Sequence, residues 1–134
     1  MPREQFPAVA IVVSFVDAIN RQDLVVMSGL MSEGHELRVL DEPPVVGRET
    51  NVDAWRGYFD LCPDYIIYPE QIGETADDVA ILGYTTGSHL ALPDNEERLL
   101  KVIWRAETTP DGRVAVWGVL DDSAGLRIRL GLIG

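Results

Sequence analysis

The chain has 134 residues, of which 46% are apolar and 25% are charged, and this composition is typical of a folded protein of one ordinary domain. We therefore expect a single domain over residues 1–134. The formal net charge of −11 opposes binding to nucleic acid or to anionic lipid. The single cysteine, Cys62, allows no internal disulfide, and the first residues lack the pattern of a signal peptide. We expect a cytoplasmic protein with neither nucleic-acid nor membrane partners.

The helical signals come first in the chain. From Ala8 to Ile19, apolar residues recur at helical spacing and predict one amphipathic helix. Leu24 to Met31 predicts a second, shorter helix, with Asp23 near its positive end. A third helix is predicted from Glu49 to Phe59, and Pro63 prevents its continuation.

The strand signals dominate the second half of the chain. One strand, His35 to Asp41, is predicted before the third helix, and Pro43 ends it. Four more are predicted at 65–71, 79–90, 98–107 and 114–120, with a hairpin turn at Pro110-Asp111-Gly112. Connections of this length predict an antiparallel meander, and the separation of helices from strands predicts the α+β class.

One face of that sheet is expected to pack against the helices, and the other needs an explanation. Lys101 and Arg105 are polar there, but Ile81, Leu99 and Ile103 are apolar. A mixed face of this kind more often meets another subunit than water, so we expect a homodimer through the sheet. The alternative is that these apolar residues are scattered singly on the surface.

Asp41 is the first candidate for chemistry. Period-two alternation places it on the strand face of Leu37 and Val39. A carboxylate with apolar neighbours loses hydration and binds a proton more readily, which suits it to proton transfer. An equally supported interpretation is that Asp41 only begins the turn before Pro43.

His89 is the second candidate, because small residues precede it on its face of the predicted strand and leave room for a ligand. A neutral imidazole there could hydrogen-bond a ligand oxygen, or it could simply cap a loop carbonyl. His35 is expected to be structural or exposed. The two histidines are far apart and lie outside any HExxH pattern, so we expect no metal.

Aromatic residues suggest a pocket for a small, mostly apolar ligand. Trp55, Phe59 and Trp117 are expected to line a hollow between the third helix and the sheet. Tyr84 and Trp104 are further candidates for its lining, although aromatic residues at regular spacing more often belong to the core.

The stretch Leu40-Asp41-Glu42-Pro43 with Gly47-Arg48-Glu49 resembles the Glu-Asp-Pro…Gly-Arg-Glu stretch of ketosteroid isomerases. These enzymes belong to the nuclear transport factor 2-like superfamily, whose fold is a cone-shaped curved antiparallel sheet closed by three N-terminal helices. By this resemblance, Asp41 would be the base of an isomerase. Phe15 stands where the isomerases have a tyrosine donor, and Val102 stands at or beside the position of their protonated aspartate. Without these donors the oxyanion hole is absent, so we expect Phe15 and Val102 to line a pocket and no steroid isomerisation to occur.

Three further motifs resemble those of the SnoaL-like polyketide cyclases in the same superfamily. They are Phe59…Pro63-Asp64-Tyr65, Thr86-Gly87-Ser88-His89, and Trp117-Gly118-Val119-Leu120-Asp121 followed by Leu130-Gly131-Leu132. In those cyclases a late aspartate is the acid–base for an aldol closure without metal or cofactor, and the resemblance gives this role to Asp121. Counting back from Leu130-Gly131 gives Asp122 instead, but strand alternation favours Asp121. A solvated carboxylate at the strand end is the other interpretation.

Two functions follow from these residues. The first is a cofactor-free lyase or isomerase that moves a proton on an apolar carbonyl compound, with Asp121 or Asp41 as the acid–base and His89 binding the oxygen. The second is a ligand-binding or dimeric accessory domain without turnover, because a fold does not determine an activity. Convergence of Asp41, His89 and Asp121 in a closed pocket would favour the enzyme.

Overall fold

The computed structural model describes residues 7–132. The three predicted helical segments are helical, although the third follows two strands and Met31 begins a strand rather than ending the second helix. Asp23 caps the second helix by accepting the N–H of Val26 at 3.1 Å. The helices are α1 (Ala8–Asn20), α2 (Leu24–Leu30), α3 (Arg48–Leu61), α4 (Asp94–Glu97) and α5 (Ala124–Arg129). The strands are β1 (Met31–Val39), β2 (Val45–Val46), β3 (Ile66–Glu74), β4 (Val79–Thr86), β5 (Val102–Thr108) and β6 (Val114–Asp121). The sequence analysis missed β2, α4 and α5.

The strands form one curved six-stranded sheet in the order β2-β1-β6-β5-β4-β3. The predicted antiparallel meander is confirmed for β3 to β6. β1 departs from the antiparallel expectation, because it pairs in parallel with β6. A parallel pair needs a long connection, which α3 and the meander supply. Register shifts within three of the pairs are bulges, which bend a sheet and increase its twist.

Several strand ends differ from the prediction: β1 is Met31–Val39 rather than 35–41, and β3 ends at Glu74 rather than at residue 71. β4 ends at Thr86 rather than at residue 90, because Gly87 has a φ of 70° and turns the chain out of the strand. β5 begins at Val102 rather than at residue 98, because residues 94–97 form α4. His89 therefore lies in a loop beyond β4, and not on the strand face that alternation predicts.

The main core lies between the helices and one face of the sheet. The predicted apolar stripe of α1 is confirmed, since Ile11, Phe15 and Ile19 are buried. They belong to one cluster with Trp104 of β5 and Trp117 of β6. Burial of side chains this large supplies much of the apolar contribution to stability.

Asn51 anchors the start of α3 against β1 and β2. Its side-chain nitrogen lies 3.0 Å from the carbonyl oxygens of His35 and Val45, and 2.9 Å from that of Gly47. An amide nitrogen carries two hydrogens, so the three carbonyls share them. Asn51 is 0% exposed, and it fixes the helix that continues to Trp55.

The opposite face of the sheet is partly covered by the end of the chain itself. Leu130 and Leu132, after α5, pack in a second cluster with Ile103 of β5. Ile81, expected on this face, belongs instead to the main core, and Leu99 precedes β5. The apolar surface that suggests a homodimer is therefore smaller than the sequence indicates, and the homodimer stays a prediction.

Candidate ligand-binding site

A cavity of about 470 Å³ opens between α3 and the strands β1 and β6. Its floor consists of Leu37, Val39, Trp117 and Val119, because the parallel register sets Leu37 beside Trp117 and Val39 beside Val119. The other lining residues are Ala54, Trp55, Tyr58 and Leu61 of α3, together with Glu42, Tyr65 and His89 from connecting segments. The volume and the largely apolar lining are those of a small-molecule site.

One side of the cavity is an aromatic wall of Trp55, Tyr58, Tyr65 and His89. The Tyr58 and Tyr65 rings meet edge to face with centroids 5.0 Å apart, and Tyr58 meets His89 in a similar way at 5.7 Å. Trp55 and Tyr58 are three residues apart on α3, so they share one helix face, with ring centroids 6.2 Å apart. Edge-to-face contact is a preferred arrangement of aromatic rings, and it fixes the direction of each polar group.

The wall contains one hydrogen-bonded side-chain pair. The Tyr58 hydroxyl oxygen lies 2.8 Å from Nδ1 of His89 and accepts the backbone N–H of His89 at 3.2 Å. Burial raises the pKa of Tyr58 to about 12. Burial also raises the pKa of Tyr65. Both tyrosines are therefore protonated phenols at neutral pH, and each can donate a hydrogen bond.

Gly87 determines where the loop after β4 goes. It has a φ of 70°, and a Cβ atom built on it would lie 2.4 Å from the carbonyl oxygen of Asp64. This contact is shorter than any side chain tolerates, so the close approach needs glycine. Two residues later, His89 reaches Tyr58.

Glu97 holds the same loop from the other side. It is 1% exposed, it accepts the hydroxyl hydrogen of Thr85, and it accepts the backbone N–H of Ser88 at 3.4 Å. A buried carboxylate is stable only when such donors surround it. These two bonds tie α4 to the end of β4, directly before His89.

The predicted catalytic carboxylates are not among the residues that line the cavity. β1 ends at Val39, and Asp41 is exposed in the following turn. Asp121 is the last residue of β6, on the strand face of the floor residues, and it is exposed. Of the carboxylates in residues 7–132, Glu42 is the one in the lining. Asp41, His89 and Asp121 do not converge there.

Asp122, the competing candidate, belongs to an ion pair. Its two carboxylate oxygens lie 2.7 and 2.6 Å from the guanidinium of Arg127 in α5. The hydrogen bonds from Arg127 hold the pKa of Asp122 below its usual value. An ionised, bidentate carboxylate of this kind has a structural role at the start of α5.

Trp55 and Trp117, two of the predicted lining residues, do line the cavity. Phe15 lies behind the floor, fully buried, with its ring centroid 5.2 Å from that of Trp117. Phe59 is buried beside Trp55, with centroids 5.5 Å apart. Both phenylalanines therefore support lining residues from the core side.

The other three predicted lining residues lie elsewhere in the sheet. Trp104 is buried in the main core, and Val102 packs against the edge of that core. Tyr84 stacks on Tyr68 with centroids 4.7 Å apart, and the ammonium of Lys101 lies 5.0 Å from its ring centroid. None of the three is in the cavity lining of the described residues.

Tyr58, Tyr65 and Glu42 are lining residues to which the sequence analysis assigns no role. The spacing between Trp55 and Tyr58 is a local signal that places both on one helix face. No local pattern indicates that His89 returns to Tyr58, because that contact joins residues 31 positions apart.

His35 is structural, as the sequence indicates. It is 0% exposed, and Nδ1 lies 2.6 Å from the carbonyl oxygen of Val114, to which it donates. Burial lowers the pKa of His35. Residues 7–132 contain no group of three or more side chains placed to bind a metal ion. Across this same part of the chain, every helix is too short or too polar to cross a membrane.

Comparison with solved structures shows proteins of the same fold. A protein from Jannaschia sp. CCS1, named as a candidate SnoaL-like polyketide cyclase, is 16% identical with a TM-score of 0.69, and 99% of each chain is covered. The epoxide hydrolase/cyclase-like enzyme of pyran ring formation in the polyether salinomycin is 15% identical, covering 84% of this chain and 88% of its own, with a TM-score of 0.68. The canthaxanthin-binding Orange Carotenoid Protein of Anabaena (Nostoc) sp. PCC 7120 is 18% identical, covering 97% of this chain and 41% of its own, with a TM-score of 0.68.

At the level of sequence, no family model and no curated protein matches this chain. The structural likenesses establish its fold as the nuclear transport factor 2-like, or cystatin-like, α+β fold. This is the fold of the SnoaL-like proteins, so the resemblance predicted from the three motifs is confirmed at the level of the fold.

Proposed function

We propose that this chain binds a compact, mostly apolar carbonyl compound in the cavity and moves a proton on it without a cofactor, as a cyclase or isomerase does. The observation that carries the proposal is an apolar cavity of about 470 Å³ with a hydrogen-bonded Tyr58–His89 pair in its wall. Two structural neighbours are named for cyclisation, which supports the type of reaction. A third binds a carotenoid, which supports an apolar ligand in this fold.

His89 is the acid group that the cavity geometry favours, because a ring N–H can donate to the carbonyl oxygen of the ligand while the adjacent carbon loses its proton. Its side chain belongs to the lining, and imidazole is the side chain most often used for proton transfer near neutral pH. Asp121 and Asp41 are the alternative acid–base groups carried over from the resemblance. Both are exposed, so they are less well placed than His89 to meet a ligand inside the cavity.

A second function, ligand binding without turnover, is supported by the same exposure of Asp41 and Asp121. With both carboxylates outside the lining, the cavity keeps its apolar floor and aromatic wall but lacks the predicted base. A domain of this kind would hold or deliver a ligand. The fold allows either function.

Two measurements, made one after the other, distinguish the two functions. A thermal-shift screen of aromatic polyketides, terpenoids and ketones finds ligands, because binding to the folded state alone raises Tm. For each ketone that binds, NMR in deuterium oxide follows the exchange of the hydrogens next to the carbonyl. An enzyme of the proposed type accelerates this exchange, and His89→Ala slows it by about 100-fold or more.

The controls separate the acid His89 from the two candidate bases, Asp121 and Asp41. Leu90→Ala changes an exposed residue of the same loop and should leave exchange unchanged. Asp121→Asn and Asp41→Asn should have smaller effects than His89→Ala. Binding without any acceleration of exchange would support the second function, and the absence of binding by every class in the screen would overturn both.

A further inference from the structure

Tyr58 makes two hydrogen bonds to a single residue. Its hydroxyl oxygen accepts the backbone N–H of His89 at 3.2 Å and lies 2.8 Å from Nδ1 of the same residue. In the part of the chain that the structure describes, these two groups are its nitrogen partners, and the thiol of Cys62 is a further, weaker neighbour. The position and the ring of His89 are therefore both determined by one phenol.

Counting hydrogens assigns the direction of the second bond. The phenol keeps its hydrogen at neutral pH, so the hydroxyl can donate to an acceptor within hydrogen-bond distance. Nδ1 of His89 is the stronger acceptor within reach, because the amide is itself a donor and the neighbouring thiol of Cys62 accepts only weakly. A neutral imidazole with a bare Nδ1 carries its hydrogen on Nε2.

The surroundings hold this arrangement in place. Tyr58 packs edge to face against Tyr65 at 5.0 Å and against Trp55 at 6.2 Å, so its ring has little freedom to turn. The loop that carries His89 is fixed by the close approach of Gly87 to the chain at Asp64. Both partners of the hydrogen bond are thus positioned before a ligand enters.

We infer that Tyr58 is a positioning residue that holds His89 with its hydrogen on Nε2, so that the cavity presents an N–H donor to an oxygen of the ligand. This inference rests on the proposed function for the ligand itself. It restricts the ligand class to molecules with an apolar skeleton and a hydrogen-bond-accepting oxygen, such as ketones, and disfavours hydrocarbons of the same shape.

The first test uses the protein without ligand. Long-range ¹H–¹⁵N NMR correlations in histidine-labelled protein, recorded where histidine is neutral, show which ring nitrogen carries the hydrogen. We expect His89 to carry it on Nε2 and His35, which donates from Nδ1 to Val114, to show the opposite pattern in the same spectrum.

Variants then test the role of the phenol. Tyr58→Phe should shift the Nδ1 resonance of His89 toward that of histidine in an unfolded peptide. Tyr68→Phe, whose hydroxyl bonds Thr86 instead, should leave that resonance in place. A hydrogen on Nδ1 of His89 in the unmodified protein, or an Nδ1 resonance unchanged in Tyr58→Phe, would overturn the inference. The unmodified protein decides the matter even where the variant fails to fold.

The second test uses two probes of matched shape, 2-acetylnaphthalene and 2-isopropenylnaphthalene, in which a methylene replaces the ketone oxygen. One added hydrogen bond should give the ketone about fivefold tighter binding, and Tyr58→Phe should reduce this preference. Equal binding of the two probes overturns this inference alone. Binding of neither probe, in a protein that also binds no member of the screen, overturns the proposed function and with it the ligand role of His89.

Discussion

Replacing Asn51 with alanine removes the contact that anchors α3, the helix that supplies Trp55 and Tyr58 to the cavity. The side-chain nitrogen is shared among three carbonyl oxygens. The carbonyl of His35 also accepts the N–H of Gly47 at 2.8 Å, and that of Gly47 also accepts the N–H of Asn51 at 3.0 Å. Two of the three carbonyls therefore keep a partner in the variant, so the cost is smaller than three lost bonds.

These contacts determine how much stability Asn51→Ala should lose. Loss of two shared hydrogen bonds and partial desolvation of a buried carbonyl cost about 2–4 kcal/mol in the free energy of unfolding. About 1 kcal/mol is recovered, because alanine favours helix and the variant no longer buries an Oδ1 atom that lacks a partner among the described residues. The net loss is about 1–3 kcal/mol, which lowers Tm by roughly 4–12 °C for a chain of this size.

Thermal denaturation followed by circular dichroism measures this loss. Thr50→Ala, at an exposed position next to Asn51, is the matched control and should stay within about 0.5 kcal/mol of the unmodified protein. The reasoning predicts weaker binding of the naphthalene ketone as well, because α3 carries half of the aromatic wall. An unchanged Tm in Asn51→Ala would refute the assigned anchoring role.

Four shorter predictions concern the histidines, the loop, the cavity and the assembly. Burial lowers the pKa of His35, so below pH 6.5 the unfolded state binds a proton that the folded state does not, and stability falls with falling pH. The free energy of unfolding changes by at most about 1.4 kcal/mol per pH unit from this group. Thermal scans of His35→Gln at about pH 5 and about pH 7.5 should therefore show a smaller difference in Tm than scans of the unmodified protein. Gly87→Ala should lower the free energy of unfolding by about 1–3 kcal/mol and weaken ketone binding. Gly57→Ala is the control, because its added Cβ meets open space, and it should leave stability unchanged or raise it. Glu42→Gln removes a negative charge from the cavity lining, so it should raise the affinity for the anion 2-naphthoate and leave ketone binding unchanged. The gain in calorimetric titration should be about two- to fivefold, because an exposed carboxylate repels an anion only weakly. Light scattering should give twice the chain mass for the predicted homodimer, and a monomer mass would contradict it.

Local patterns in the sequence are sufficient for most of the fold. The stripe from Ile11 to Ile19 and the turn at Pro110-Asp111-Gly112 each depend on residues close in the chain, and both lie where the patterns predict. The parallel pairing of β1 with β6 joins strands separated by most of the chain. No spacing rule encodes such a pair. The missed α5 is a short helix, and its apolar contact through Leu126 joins the second cluster, whose strand residues are distant in the chain.

The candidate site also contains residues that local patterns place and residues whose positions depend on distant contacts. Trp55 and Trp117, expected as lining residues, lie in the cavity lining, and their positions follow from periodicity on a helix and a strand. Alternation correctly places Asp121 on the face of the floor, but it gives no information on where the cavity stops along β6, and Asp121 is exposed beyond that point. The position of His89 depends on the contact of Gly87 with Asp64, which no local pattern reports.

The distribution of polar groups indicates how a ligand would lie in the cavity. The floor from β1 and β6 is entirely apolar, whereas the donors stand in the aromatic wall formed by α3 and the connecting segments. An apolar skeleton therefore packs best on the strands, with its oxygen toward His89. A base at the end of β6 would act from the sheet side, whereas His89 donates to the oxygen from the helix side. The deuterium-exchange comparison of His89→Ala with Asp121→Asn therefore compares the loss of the oxygen donor on the helix side with the loss of a base on the sheet side.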